Sequence, residues 1–291
     1  MFSIVKNYKI FFSITIIFLL IGIGSMLFRG FNLGIDFTGG SIMDLSFNKP
    51  VTVSEVRDVL KEHDLGNSII QLESTDGSQS AQGVLIRTVV IDDSVRRDVM
   101  NDLKAKLGDF QIQRVEQVGA TIGSELIQQA IMAIVLSWVL MIGYITMRFE
   151  FKFAIAAIIA LIIDVMVTLS YFSLFHMEMD SSFVAALLTV VGYSINGTIV
   201  IFDRIRENLK IHRRSESLSD MIDNSIWQTM TRTCYTVGTS LFAVVAIFLW
   251  GGDTIRNFAF AMMVGFGSGA YTSIFLSGPL WLFLRGKKAG E

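Results

Sequence analysis

Six long apolar runs decide most of what this chain can become. They lie at about Ile10 to Phe28, Leu126 to Met147, Phe153 to Phe175, Phe183 to Phe202, Thr233 to Trp250 and Phe258 to Leu284, each near the ~20 residues that a helix needs to cross the hydrocarbon core. Of the 291 residues 52% are hydrophobic and only 17% charged, against ~25% charged in an ordinary globular domain. A multi-pass α-helical membrane protein is therefore expected. The first run follows Lys6 and Lys9 and contains the small pair Gly24 and Ser25, as a cleavable leader would. It is longer than the ~7–15 apolar residues of such a leader, so a retained signal anchor is expected. Cys234 is the only cysteine; it has no partner for an intrachain disulfide and reads as a small buried apolar residue of its span.

Between the first two runs lies a polar stretch too long and too patterned for a loop. Strand-like segments occur at Ser41 to Phe47, Asn67 to Glu73, Val84 to Ile91 and Gln111 to Val118. Two helical segments separate them. One opens with Thr52 and Glu55 at capping-box spacing and continues through Val56, Val59 and Leu60; the other runs from about Ser94 through Val95, Val99, Leu103 and Leu107 to a stop at Gly108. The Thr75-Asp76-Gly77-Ser78 cluster predicts a turn between the second and third strands. The order βαββαβ is that of a small α+β, ferredoxin-like domain. The expected organisation is a first transmembrane helix over 1–28, an extracytoplasmic α+β domain over 29–125, and five further spans over 126–291, with a cytoplasmic amphipathic loop at 204–230.

Basic residues are distributed on one side of the spans. Lys6, Lys9, Arg148, Lys152, Arg204, Arg206, Lys210, Arg213, Arg214, Arg285, Lys287 and Lys288 alternate with connections that hold no Lys or Arg, at 176–182, or only Arg256, at 251–257. The positive-inside rule then places both termini in the cytoplasm. The basic start of the 204–230 segment lacks interleaved aromatics, so nucleic-acid binding is not expected. Neither GxxxxGK[ST] nor a helix-opening GxGxxG occurs, which argues against nucleotide binding. His63, His176 and His212 are scattered, so neither a zinc site nor a catalytic triad is indicated; no metal, cofactor or enzymatic activity is expected.

Four motifs carry a family resemblance. Residues 192–208 read GYSINGTIVIFDRIREN, residues 34–40 read GIDFTGG, residues 118–126 read VGATIGSEL, and Thr231-Arg232-Thr233 opens the fifth span. Together they closely resemble the SecD/SecF family of bacterial export subunits, in its SecF branch, within the resistance-nodulation-division superfamily. The family's runs are GYSxNDTIVxFDRIREN, GIDFxGG and VGPxxGxEL. The resemblance marks Gly34, Asp36, Gly39, Gly40, Gly119, Gly123, Glu125, Asp203 and Arg204 as structural motif positions. Ala120 stands where the family has proline, Ile163 where it has a histidine before Asp164, and Gly197 where it has an acid on the proton pathway.

The polar residues at membrane depth are the functional candidates. A lone carboxylate at the centre of a span, such as Asp164, costs ~2.5–3.5 kcal/mol unless it faces protein or water. Its two readings are an ion-coupling acid and a packing group bonded to a neighbouring Ser or Thr hydroxyl. Thr189, Asn196 and Asp203 recur every seventh residue, which brings them to nearly one face of a helix with about 3.6 residues per turn. Asn196 suits a hydrogen-bond relay or interhelical packing. By resemblance Arg232 assists coupling, with snorkelling to the interface as its other reading. Gly265 and Gly269 form a GxxxG pair, expected to pack helices and to help bind the partner half.

A six-span chain with a domain after its first span looks like half of a transporter. The resemblance implies that SecD supplies the other half, that the SecYEG channel, YajC and translocating preproteins are further partners beside the lipid bilayer, and that an ion gradient promotes preprotein translocation across the bacterial cytoplasmic membrane. Two other readings stay open: a scaffold for SecD without its own ion coupling, and half of a small-molecule or lipid exporter.

Overall fold

The computed structural model describes residues 2–73, 80–211 and 217–286. The expected turn at Thr75 to Ser78 and the basic positions Arg213, Arg214, Lys287 and Lys288 lie outside these. In chain order the main elements are α1 (Tyr8–Arg29), β1 (Gly40–Thr52), α2 (Val53–Lys61), β2 (Ile69–Glu73), β3 (Ser80–Thr88), α3 (Asp93–Leu107), β4 (Phe110–Val118), α4 (Ala120–Arg148), α5 (Phe151–Phe175), α6 (Ser181–Ile211), α7 (Leu218–Trp250), α8 (Asp253–Tyr271), a π-helical turn (Thr272–Ser277) and α9 (Gly278–Arg285). They form two compact units, residues 33–129 and residues 1–32 with 130–291.

The smaller unit is a four-stranded antiparallel sheet in the order β2-β3-β1-β4, the βαββαβ arrangement expected. Met43, Leu45 and Phe47 of β1 and Val84 and Ile86 of β3 pack with Val56, Val59 and Leu60 of α2 and with Val99 and Leu103 of α3. The Thr52–Glu55 capping box forms: Thr52 Oγ1 accepts from the Glu55 amide at 3.3 Å, and the Glu55 carboxylate accepts from the Thr52 amide at 2.8 Å. Those hydrogen bonds hold the Glu55 carboxyl below the usual carboxylate range. The third strand was expected to reach Ile91 but ends at Thr88, the last residue opposite β1. Val89 and Val90 have strand-like side chains but no neighbouring strand, and both are exposed.

Among the described residues, six helices are long and apolar enough to cross a membrane. Helix α5 is lined by Ala154, Ala156, Ala157 and Ala160, all fully buried, so its neighbours approach closely. Helix α1 packs on it: Ser25 and Ser173 hydroxyls are 2.8 Å apart, and Phe11 of α1 stacks on Phe275 of the π-helical turn. By contrast α4 and the second half of α7 turn Val139, Leu140, Phe242 and Trp250 outward, as suits a surface in contact with hydrocarbon or another membrane subunit; Cys234 of α7, expected to be buried, is exposed as well.

The described residues of the 204–230 segment, 204–211 and 217–230, are helical extensions of α6 and α7 and do not form a separate amphipathic loop. Helix α6 continues through Ile211, and α7 starts at Leu218, capped by the Ser217 hydroxyl accepting from the Asp220 amide at 3.1 Å. Its apolar positions Leu218, Met221, Ile222 and Ile226 are buried within the protein and so unavailable to a lipid surface. The first turn of α7 also fixes the N-terminal segment. The Asp223 carboxylate accepts from the amides of Ile4 and Val5 at 2.9 Å and from the Ser3 hydroxyl. Nearby, Asp220 lies 2.7 Å from Lys6 and raises its pKa.

Candidate functional site

Asp164 is fully buried on α5. Helix α6 and the π-helical turn close around it. The Ser194 hydroxyl of α6 donates to Oδ2, and the Thr272 hydroxyl, at the start of the π-helical turn, lies 3.0 Å from both carboxylate oxygens. Arg232 does not reach it, and among the described residues no cation forms an ion pair with it. The carboxylate is therefore satisfied by hydroxyl donors alone, which offset part of its desolvation.

Thr272 is the first residue of the π-helical turn. Inside the last apolar run it shifts the helix register, a feature often found at functional positions. Thr272 then faces Asp164 while Ser273 faces α6, where its hydroxyl is 2.9 Å from that of Thr198. Both serines of this neighbourhood, Ser194 and Ser273, also line a cleft of about 140 Å³ together with Asn196, Gly197, Arg232 and Gly269. A second cleft of about 460 Å³ is bordered by Asn196, Asp203, Arg204, Arg232, Arg148 and Tyr144.

Asn196, Gly197 and Arg232 thus share one cleft, and Asp203 and Arg204 join Asn196 and Arg232 in the next. Asp164 stands apart from both, behind Ser194. Thr189, Asn196 and Asp203 all lie on exposed positions of α6, the common face their spacing implies. A Cβ on Gly197 would come within 3.0 Å of the Ser273 hydroxyl, so the absence of a side chain leaves the cleft open there. Arg204 is engaged by Gln228 and Glu207, both at 2.6 Å.

The remaining motif positions are in the smaller unit. Gly34 to Gly39 forms a single helical turn, with Gly39 and Gly40 at φ of 71° and 141°, a region that glycine enters without strain. A Cβ on Gly123 would meet the Phe37 carbonyl oxygen at 2.6 Å. The GIDFTGG and VGATIGSEL motifs, far apart in sequence, are therefore packed backbone to backbone. Gly119 has open space around it and Glu125 is exposed.

The GxxxG pair has a different partner from the one expected. Cβ atoms on Gly265 and Gly269 would collide with Val190 and Ser194 of α6, so this face is used within the chain and is not free for another subunit. Sequence reasoning also passed over Ser194, Thr198, Thr272 and Ser273 as members of the site. For Thr272 and Ser273 the signal was the recurrence of Ser or Thr at 268, 272, 273 and 277 in an otherwise apolar run.

Comparison with known proteins agrees with this architecture. Residues 98–287 match the protein export membrane protein SecD/SecF C-terminal family, and residues 24–51 match the SecD/SecF GG motif. Protein translocase subunit SecF of Acidaminococcus fermentans is 67% identical over 287 residues, covering 98% of each chain. The SecF subunit of Sebaldella termitidis is 38% identical over 97% of this chain and 92% of its own. The crystal structure of SecDF, a translocon-associated membrane protein from Thermus thermophilus, superposes with a TM-score of 0.88 at 32% identity. That match covers 98% of this chain but only 39% of the SecDF chain. Six candidate spans among the described residues, a ferredoxin-like domain between the first two in sequence, and full-length similarity to SecF subunits make this chain a member of the SecD/SecF protein-export family, on its SecF side.

Proposed function

We propose that this SecF-type subunit works in the bacterial cytoplasmic membrane as one half of a SecD–SecF pair, and that Asp164 couples it to a transmembrane ion gradient. The carrying observation is the fully buried carboxylate held by hydroxyls from α6 and from the π-helical turn. An ionised Asp164 accepts from both hydroxyls. Once protonated, it carries a donor of its own and a weaker acceptor set, so the hydrogen bonds from Ser194 and Thr272 weaken or rearrange. A change of charge on one residue thereby loosens or tightens contacts among three transmembrane elements. One charge moved through 100 mV supplies ~2.3 kcal/mol, enough to shift a two-state equilibrium more than tenfold.

The basic residues at Lys6, Lys9, Arg148, Lys152, Arg204, Arg206 and Lys210 support cytoplasmic termini, with the domain at 33–129 outside. SecD, the SecYEG channel, YajC and emerging preproteins are the partners this placement serves. The exposed apolar faces of α4 and α7 leave surface for such membrane partners. Gly197 at the family's acidic position favours a second reading, in which the chain supports SecD without coupling.

Export of a slow-folding preprotein into membrane vesicles, measured with and without a proton gradient, separates the two. Coupling requires Asp164→Asn to remove most of the gradient dependence at matched expression and with the SecD complex intact. Unchanged gradient dependence would establish the scaffold.

A further inference from the structure

We infer that Ser194 is the proton relay between the cleft at Gly197 and the buried carboxylate of Asp164. This rests on the coupling role proposed for Asp164 and adds the route by which that acid is reached. Ser194 is the residue that touches both places: its hydroxyl donates to Asp164 Oδ2, and it lines the cleft beside Asn196, Gly197, Arg232 and Ser273. Asp164 itself is fully buried and does not border the cleft. Neither Thr272 nor Ser268, the other hydroxyls beside the carboxylate, lines the cleft, which leaves Ser194 as the connection on this side.

The surrounding groups fit this role. Gly269 lies so near Ser194 that a Cβ there would be 2.9 Å from both its Cβ and its Oγ, which confines the serine side chain between helices. Ser273 and Thr198 bond to each other at 2.9 Å and border the approach with hydroxyls. Arg232 is the charged residue of the cleft lining; α6, α8 and the π-helical turn contribute Ser, Asn, Gly, Ala, Tyr, Val and no ionisable acid or base stronger than Tyr193 there. In the transfer, a hydronium in the cleft gives a proton to Ser194 Oγ as the Ser194 O–H bond breaks and its proton passes to Asp164 Oδ2. Water, an intact serine and a neutral carboxyl result. An acid at 197 is unnecessary for this step, because the missing side chain leaves room for water against Ser194 and Ser273.

Infrared difference spectra of the full chain in lipid nanodiscs, recorded across a pH step, test the route directly. A protonated-carboxyl band that Asp164→Asn removes belongs to this acid, and its shift after transfer to deuterated buffer reports how fast the proton exchanges. Ser194→Ala is expected to slow that shift by about tenfold or more, whereas Ser194→Thr keeps a hydroxyl and exchanges nearly as fast as the parent. Gly197→Val fills the cleft beside Ser273 and is expected to slow it too, which serves where Ser194→Ala disturbs folding. Unchanged exchange in both Ser194→Ala and Gly197→Val overturns the relay, as does the absence of any band that Asp164→Asn removes. Normal export by Asp164→Asn overturns instead its coupling role, while the exchange rates still decide the route.

Discussion

Replacing Gly265 with alanine would force a methyl group into the α6–α8 contact. The new Cβ would lie 2.1 and 2.5 Å from the two Cγ atoms of Val190 and 2.9 Å from its Cβ. Ordinary carbon–carbon contact is ~3.5–4.0 Å, so the nearest pair is about 1.5 Å too close. Rotating Val190 offers little relief, because both branches are in the way and a valine in a helix has one strongly preferred rotamer. Val190 is also fully buried, so the helices must separate. Overpacking of this kind costs ~1–3 kcal/mol, against which alanine returns at most ~1 kcal/mol of helix propensity. A net loss of ~1–2 kcal/mol is expected, or ~5–30-fold in the folded ratio. Steric trapping in bicelles would measure it. Gly267→Ala is the control, since nothing lies within 4 Å of a Cβ there, and it should be neutral or slightly stabilising. Val190→Ala removes the two closest atoms, so the double variant should recover at least ~0.5 kcal/mol relative to additivity. Parental stability of Gly265→Ala, or strict additivity with Val190→Ala, would refute close helix packing at this position.

Two further outcomes follow from the smaller unit and from the charge distribution. The Glu55 carboxyl has a lowered pKa in the folded protein, so its capping contribution is present above the unfolded value of about 4.5 and is lost as pH falls through the folded one. Amide exchange at the first turn of α2 should accelerate over that acidic window in the parent chain but not in Glu55→Gln, which keeps an acceptor without titrating; equal acceleration in both would exclude the carboxylate. With Cys234→Ala as background, a cysteine at Ala105 should react with an impermeant reagent in intact spheroplasts and one at Glu207 only after lysis; the opposite pattern would reverse the orientation.

The six spans and the βαββαβ order were legible in the sequence because each depends on local information. A span is ~20 consecutive apolar residues, and a capping box needs only Thr52 and Glu55 three positions apart. The strand ending at Thr88 already shows where local information stops, since Val89 and Val90 look like strand residues and lack a neighbour to pair with. The same limit governed the 204–230 segment. Its amphipathic pattern was readable, but only the bundle decided that Leu218, Met221 and Ile222 face protein. For the GxxxG pair, small residues announced close packing without naming the partner, and the fold assigned it to Val190 and Ser194. The site depended most on tertiary structure. Asp164 was conspicuous by itself, because a carboxylate in hydrocarbon requires a partner. Its donors come from 30 and 108 residues along the chain, and whether those hydroxyls meet it is fixed by the register of α5 against α6 and against the segment that carries Thr272. Register between packed helices is a property of many side chains at once, so no local pattern encodes it; only the assembled helices bring Ser194 between the acid and the cleft.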